Sequence, residues 1–165
     1  TGMSQATDRI VEVCAIEVDD DFNEIDSFHA FINPQRKVPW FVTRIHGLNN
    51  EFLDDKPIFS DIGRDLLLFL EGSELWAHNM SFDAGMLNAE FARNRLPTLE
   101  KVDCRLNCTL QLARSTFPGQ KNSLDALLDR FAIDRSERRL HGAMIDTRLL
   151  VKVYQNLVSY RTKTS

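Results

Sequence analysis

The chain predicts an α/β fold in which a mixed sheet carries helices on its faces. Two β-branched, apolar segments near the start, Arg9 to Val18 and Ser27 to Asn33, are joined by the acidic turn "DDDFNE" and read as an antiparallel pair. The middle of the chain alternates short strand-like pieces with helical ones, and the end reads as helix alone. Antiparallel strands followed by β–α alternation place strands of both directions in one sheet and leave helices to cover it.

Each element follows from its residues. "RIVEVCAIEV" reads as a strand buried for much of its length, and Pro34 closes its partner "SFHAFIN". "VPWFVTRIHGLNNEFLDDKP" is a mixed connection with a short helix starting near Asn49 or Asn50. "IFSDIGRDLLLFLEG" has helical spacing and stops at Gly72. "ELWAH" is a short strand, and "SFDAGMLNAEFARNRLP" is a helix capped at Ser81 and closed by Pro97. "KVDCRL" is another strand. Helices over Cys108 to Thr116, Leu124 to Phe131 and Gly142 to Tyr160 complete the chain, with "FPGQKNS" as the loop and cap between the first two.

Composition bounds the function. At 165 residues the chain reads as a single domain with a substantial core. A net charge of −4 argues against a protein that coats nucleic acid, but it does not exclude an enzyme acting only at a strand end. Cys14, Cys104 and Cys108 form no CxxC pair, so they read as reduced, buried thiols of a cytoplasmic protein rather than a metal site. No apolar run approaches the ~18 residues of a membrane span, and no signal-peptide pattern opens the chain. The first residue is Thr1, which suggests processing, excision or a fragment.

Three segments bear candidate chemistry. In "HNMSFDAGML", Asp83 sits at the start of a helix beside the C-terminal edge of a strand, where open α/β sheets build sites. Its bland alternative is to complement the helix dipole. In "LHGAMIDTRLL", His141 and Asp146 are five residues apart and cannot share a helix face. They serve one site only if His141 lies on a loop or first turn; otherwise Asp146 belongs to a solvated face and His141 to a satisfied loop. In "TRIHGLN", His46 precedes Gly47, which allows close backbone approach.

The segments "HNMSFDAGML", "FPGQKNSLDALLDRF" and "RRLHGAMIDTRLL", in that order, resemble the DEDDh family of 3′–5′ exonucleases from Thr1 to about Leu157. The middle phrase resembles the epsilon, or proofreading, branch of bacterial DNA polymerase III; oligoribonuclease and ribonuclease T share the shorter motifs and are the alternative. The resemblance implies a ribonuclease H-like fold and hydrolysis of 3′-terminal phosphodiesters with two Mg²⁺ or Mn²⁺ ions. Asp83 and Asp146 match two of the family's metal-binding carboxylates and His141 its general base. Thr1, Gly2, Met3, His46, Gly47, Asn79 and Phe82 match positions that line the pocket for the terminal nucleotide, although Phe82 also suits a core and Met3 an ordinary loop. Implied partners are the 3′ end of single-stranded or frayed DNA and, for a full-length protein, the polymerase alpha and theta subunits and the sliding clamp.

One departure is large. The family's first motif runs Asp-x-Glu-x-Thr-Gly on the central strand of the sheet. Thr1 and Gly2 match its end, so its Asp and Glu are expected upstream of residue 1. Asp8 and Glu12 belong to the following strand and do not replace them. The expectation is therefore an N-terminally truncated exonuclease domain lacking its central strand, inactive alone, with two strands left partly unpaired. A non-catalytic module of the same fold is the rival reading.

Overall fold

A computed structural model describes residues 1–138 and 142–165. Its elements run β1 (Glu12–Val18), β2 (Glu24–Phe31), α1 (Trp40–His46), α2 (Asn50–Leu53), α3 (Phe59–Leu70), β3 (Glu74–Ala77) and α4 (Met80–Arg93), and then a 3₁₀ turn at Glu100–Val102. β4 (Arg105–Cys108), α5 (Thr109–Thr116), α6 (Leu124–Arg130) and α7 (Ala143–Thr164) follow.

The expected mixed sheet takes the form of two pieces. β1 pairs with β2 antiparallel, and β3 pairs with β4 in parallel. Side-chain alternation shows that both pieces lie in one layer. Val13 and Ala15 of β1, Phe28 and Ala30 of β2, Leu75 and Ala77 of β3, and Leu106 and Cys108 of β4 all pack into one core. That core is built on Phe59, Leu66 and Leu70 of α3 with Ala84 and Phe91 of α4. On the opposite face, Cys14 Sγ of β1 lies 3.6 Å from Met144 Sδ of α7, and the Trp76 ring of β3 lies 4.4 Å from that of Tyr154. α7 therefore crosses both pieces, and the layers run α3/α4, strands, α7. Among the described residues, β1 and β3 each have a strand partner on one side only.

A second core of Ala113, Phe117, Leu127, Leu128, Leu149, Val153 and Leu157 fastens α5 and α6 to the later turns of α7. One charged cluster is buried beside the first core. Glu90 of α4 is 1% exposed and takes Arg9 Nε at 2.5 Å and Arg93 Nη1 at 2.6 Å.

Three local readings need correction. The first strand begins at Glu12, because residues 1–9 form a loop. There Asp8 accepts from Thr1 Oγ1 at 2.9 Å and from Ser4 N at 2.8 Å, so Asp8 belongs to no strand. Ser81 does not cap α4. The cap position is Asn79, in the left-handed region at φ 77°, which lets the chain reverse from β3 into α4 within three residues. Local sequence does not predict α1, since Trp, Phe, Val, Thr and Ile have weak helix propensity. Tertiary contacts form it: Asn50 grips Val38 through both N–H and C=O, at 2.8 and 3.2 Å, and Gly47 ends the helix at φ 76°. Of the thiols, Cys104 is buried while Cys14 and Cys108 are half-buried, and all three are free.

Candidate functional site

Two carboxylates sit on first turns of helices that follow tight entries. Asp83 lies on the first turn of α4, beyond the left-handed Asn79. Its residue surface reaches water, yet protein lies on most sides of it, and this partial burial pushes its carboxyl up to about 6. A carboxyl raised in this way, with no opposing side-chain charge among the causes, suits a cation ligand.

Asp146 lies on the first turn of α7 and is already neutralised. Arg138 places Nε 2.6 Å from Asp146 Oδ1 and Nη2 3.2 Å from Oδ2. The same guanidinium also contacts Asp125 of α6, which Arg135 reaches at 3.1 Å. With its side chain 8% exposed, Arg138 is packed in place rather than waving in solvent.

α7 has a glycine, Gly142, at its N-cap, so no side chain there can cap the helix. Glu12 of β1 does it instead. Its Oε1 accepts from the Ala143 N–H at 3.0 Å, and its Oε2 meets His29 Nε2 at 2.7 Å. The sequence places Glu12 only as a strand residue that does not replace the family's first-motif carboxylates. A glycine where a cap belongs was the available signal, but the partner 131 residues away was not legible.

His46, at the end of α1, is half-buried and accepts from Leu48 N through Nδ1 at 3.0 Å. Burial lowers its pKa first; the amino group of Thr1 adds to this and Glu12 opposes it. His46 thus lies within electrostatic reach of both the Thr1 amino group and the Glu12 carboxylate. Gly47 has the positive φ noted above. Gly2 is held so close to Asp8 that an added Cβ would lie 2.5 Å from its carboxylate. Thr1 is buried, with Oγ1 tied to Asp8 and Arg9 N, whereas Met3 is 79% exposed. The loop that carries them reaches α4 through Gln5 Nε2, which donates to the Ser81 carbonyl at 3.4 Å. Asn79 Oδ1 accepts from Ser81 Oγ at 3.2 Å, and Phe82 is half-buried one turn into α4. His141 lies outside the described residues.

His78, which opens the motif bearing Asp83, is structural. Its Nδ1 meets Thr109 Oγ1 at 2.9 Å and its Nε2 the Asn122 carbonyl at 2.8 Å, joining the end of β3 to α5 and the loop before α6. Burial lowers its pKa, in keeping with a neutral ring that donates one N–H and accepts at the other nitrogen. Among the described residues no three His, Cys, Asp or Glu side chains gather as a metal cluster. Asp83 and Asp146 fit a hard divalent ion by donor type, but they supply only part of a ligand set.

The Exonuclease family (RNase_T) matches residues 1–154. This chain belongs to the exonuclease family. The family implies dependence on a divalent metal. The chain is similar to the DNA polymerase III subunit epsilon of Rickettsia conorii, 45% identical over 159 residues that cover 93% of this chain and 67% of that protein. It spans between 60% and 72% of the length of the curated epsilon relatives it matches. Among solved structures it is similar to exonuclease X in complex with 5′ overhanging duplex DNA, at 26% identity and a TM-score of 0.69, covering 93% of this chain and 85% of that one. The nuclease domain of 3′hExo, a DEDDh family member bound to rAMP, shares the fold at 14% identity and a TM-score of 0.73, covering 92% and 81%. The α/β fold with strands between helical layers is thus the ribonuclease H-like fold of DEDDh exonucleases. No described helix is long and apolar enough to cross a membrane.

Proposed function

We propose that this chain is the nuclease domain of a metal-dependent 3′–5′ exonuclease that removes mismatched nucleotides during DNA replication. The observation that carries the reading is the placement of Asp83 and Asp146, each on the first turn of a helix, in a chain that belongs to the exonuclease family. Asp83 and Asp146 would hold a divalent metal, Mg²⁺ or Mn²⁺, through their carboxylate oxygens, and a pair of such ions would supply positive charge for the attacking and leaving oxygens of the terminal phosphodiester. His141 takes the proton of the attacking water, a task that suits a side chain titrating near neutrality. Thr1, Gly2, Met3, His46, Gly47, Asn79 and Phe82 line the pocket for the 3′ nucleotide. The polymerase alpha and theta subunits and the sliding clamp are partners of the full-length protein.

The remaining carboxylates belong to one further strand seated between β1 and β3. Both strand pairs share the α3/α4 core and the α7 cover, and β1 and β3 each have one edge with no strand partner among the described residues, which supports this placement.

The test extends the chain upstream through an Asp-x-Glu strand and supplies a 3′-mismatched primer. The extended protein should release nucleotides from the 3′ end with Mg²⁺ or Mn²⁺, and residues 1–165 alone should not. Asp83→Asn and Asp146→Asn should abolish the activity, and His141→Ala should lower turnover by ~10²–10⁴-fold while leaving Mn²⁺ affinity nearly intact. An extended protein that hydrolyses only RNA of the same sequence would assign the oligoribonuclease-like alternative, and an inert one the non-catalytic module.

A further inference from the structure

α1 leaves an aromatic and cationic face uncovered. Its inner side is fixed: Val38, clamped by Asn50, packs with Val11 and Leu53, and Val42 and Leu48 lean on that cluster. Its outer side is open. Trp40 is 70% exposed, Phe41 57% and Ile45 55%, on a helix with no buried residue. Phe41 and Ile45 are four residues apart, as are Trp40 and Arg44, so the four side chains share one helical surface. The Arg44 guanidinium lies over the Trp40 ring at 5.7 Å, and the Trp40 and Phe41 rings meet nearly at right angles with centroids 6.1 Å apart.

Two exposed aromatic rings forfeit the stabilisation that burial brings, so their position calls for an occupant. Charge indicates which. Residues 27–50 carry no Asp or Glu, and of their three cations Arg36 is paired with Asp8 while Lys37 and Arg44 add positive charge, in a chain whose acids outnumber its Lys and Arg by 24 to 20. A local cationic zone of this kind attracts a polyanion, and flat exposed rings with a guanidinium beside them accept unpaired bases by stacking. His46 closes the same helix, so the face runs toward the proposed nucleotide pocket.

We propose that Trp40, Phe41 and Arg44 form a stacking platform for the unpaired strand of nucleic acid a few nucleotides from the end held at the pocket. This rests on the exonuclease reading of the site. Trp40 and Phe41 take bases without regard to sequence, and Arg44 takes a phosphate while lying against Trp40. The platform engages long single strands and is out of reach of a mononucleotide.

The test measures fluorescence anisotropy of 5′-labelled dT₁₂ and dA₁₂ with the 165-residue chain in EDTA, where no hydrolysis occurs. Unlabelled TMP and dT₁₂ serve as competitors. Trp40→Ala and Phe41→Ala should each weaken both labelled strands about tenfold and leave TMP competition and the urea unfolding midpoint unchanged. Arg44→Gln should flatten the dependence of log affinity on log salt by about 0.7, one phosphate contact on a single strand. Unchanged dT₁₂ affinity in both ring variants would overturn the platform. So would loss of self-association in those variants at unchanged dT₁₂ affinity, which would make the face a protein contact. Failure of the site reading looks different: the upstream-extended protein would not hydrolyse DNA, whatever the ring variants do to binding.

Discussion

The Glu12 carboxylate of β1 accepts the Ala143 N–H of α7 at 3.0 Å, closing a helix whose own cap position is a glycine. The bond joins the strand layer to the turn that carries Asp146, three residues further along the chain. Two contacts reinforce it on the same helix. Cys14 touches Met144, and Arg148 pairs with Glu24 of β2 through Nε and Nη2, both at 3.3 Å. The position of Asp146 is therefore set by the β1–β2 hairpin rather than by α7 alone.

Glu12→Ala should destabilise the protein by about 1–3 kcal/mol, because it orphans a half-buried helix donor and removes the partner of His29. Glu12→Gln keeps an acceptor for Ala143 and should recover most of that loss. Urea unfolding gives the energies, and amide exchange at Ala143 gives the location. Equal destabilisation by both substitutions, with no change in Ala143 exchange, would remove the cap from the account.

Glu90→Ala should cost about 3–5 kcal/mol, since it leaves Arg9 and Arg93 facing a buried site without their anion. The loss should appear as a lower urea midpoint at unchanged slope. A cost below about 1 kcal/mol would mean that both guanidiniums swing out to water.

Much of this fold was legible in the sequence, for reasons that differ by element. α3 shows its apolar stripe at Phe59, Leu66, Leu67 and Leu70 and its stop at Gly72, so local pattern sufficed. Ser123 was equally readable, and its Oγ accepts from Ala126 N at 3.1 Å. α1 was not, because its helicity depends on Asn50 gripping Val38 from the far side of the helix. Asp83 and Asp146 came from motif wording; their surroundings did not. Nothing local to Asp146 announces that Arg138 lies against it, since a side chain eight residues earlier has no fixed place relative to the first turn of a helix.

Arg138→Gln should tighten Mn²⁺ binding at least about threefold in the upstream-extended protein, because a divalent ion bound at Asp146, as proposed, would meet a guanidinium already seated there. The same change should cost about 1 kcal/mol of stability without metal, as Asp146 and Asp125 lose their shared cation. Titration calorimetry reads the first effect and urea unfolding the second. Weaker Mn²⁺ binding in Arg138→Gln would reverse the assignment and make Arg138 the group that orients Asp146 for the metal.

Asp83 gives the protein a pH dependence of unusual sign for a carboxylate. Its carboxyl stands at about 6 against an ordinary 3.8, and burial is the main cause. Well below pH 3.8 the folded and unfolded chains both hold this proton, so it contributes nothing to stability. As the pH rises from 4 to 6, the unfolded chain releases the proton first, and the folded state is penalised progressively. Above pH 6 the penalty is complete and constant. Because the side chain also touches water, the penalty is about 1 kcal/mol rather than the full value of the shift. Asp83→Asn should therefore match the parent near pH 4 and exceed it by about 1 kcal/mol at pH 7.5, measured by urea unfolding. Adding Mn²⁺ at pH 7.5 should narrow that gap, since a bound cation favours the ionised form that only the parent possesses. A variant destabilised equally at both pH values would show that Asp83 is held by contacts rather than strained by burial, and the cation-ligand reading of this carboxylate would lose its physical support.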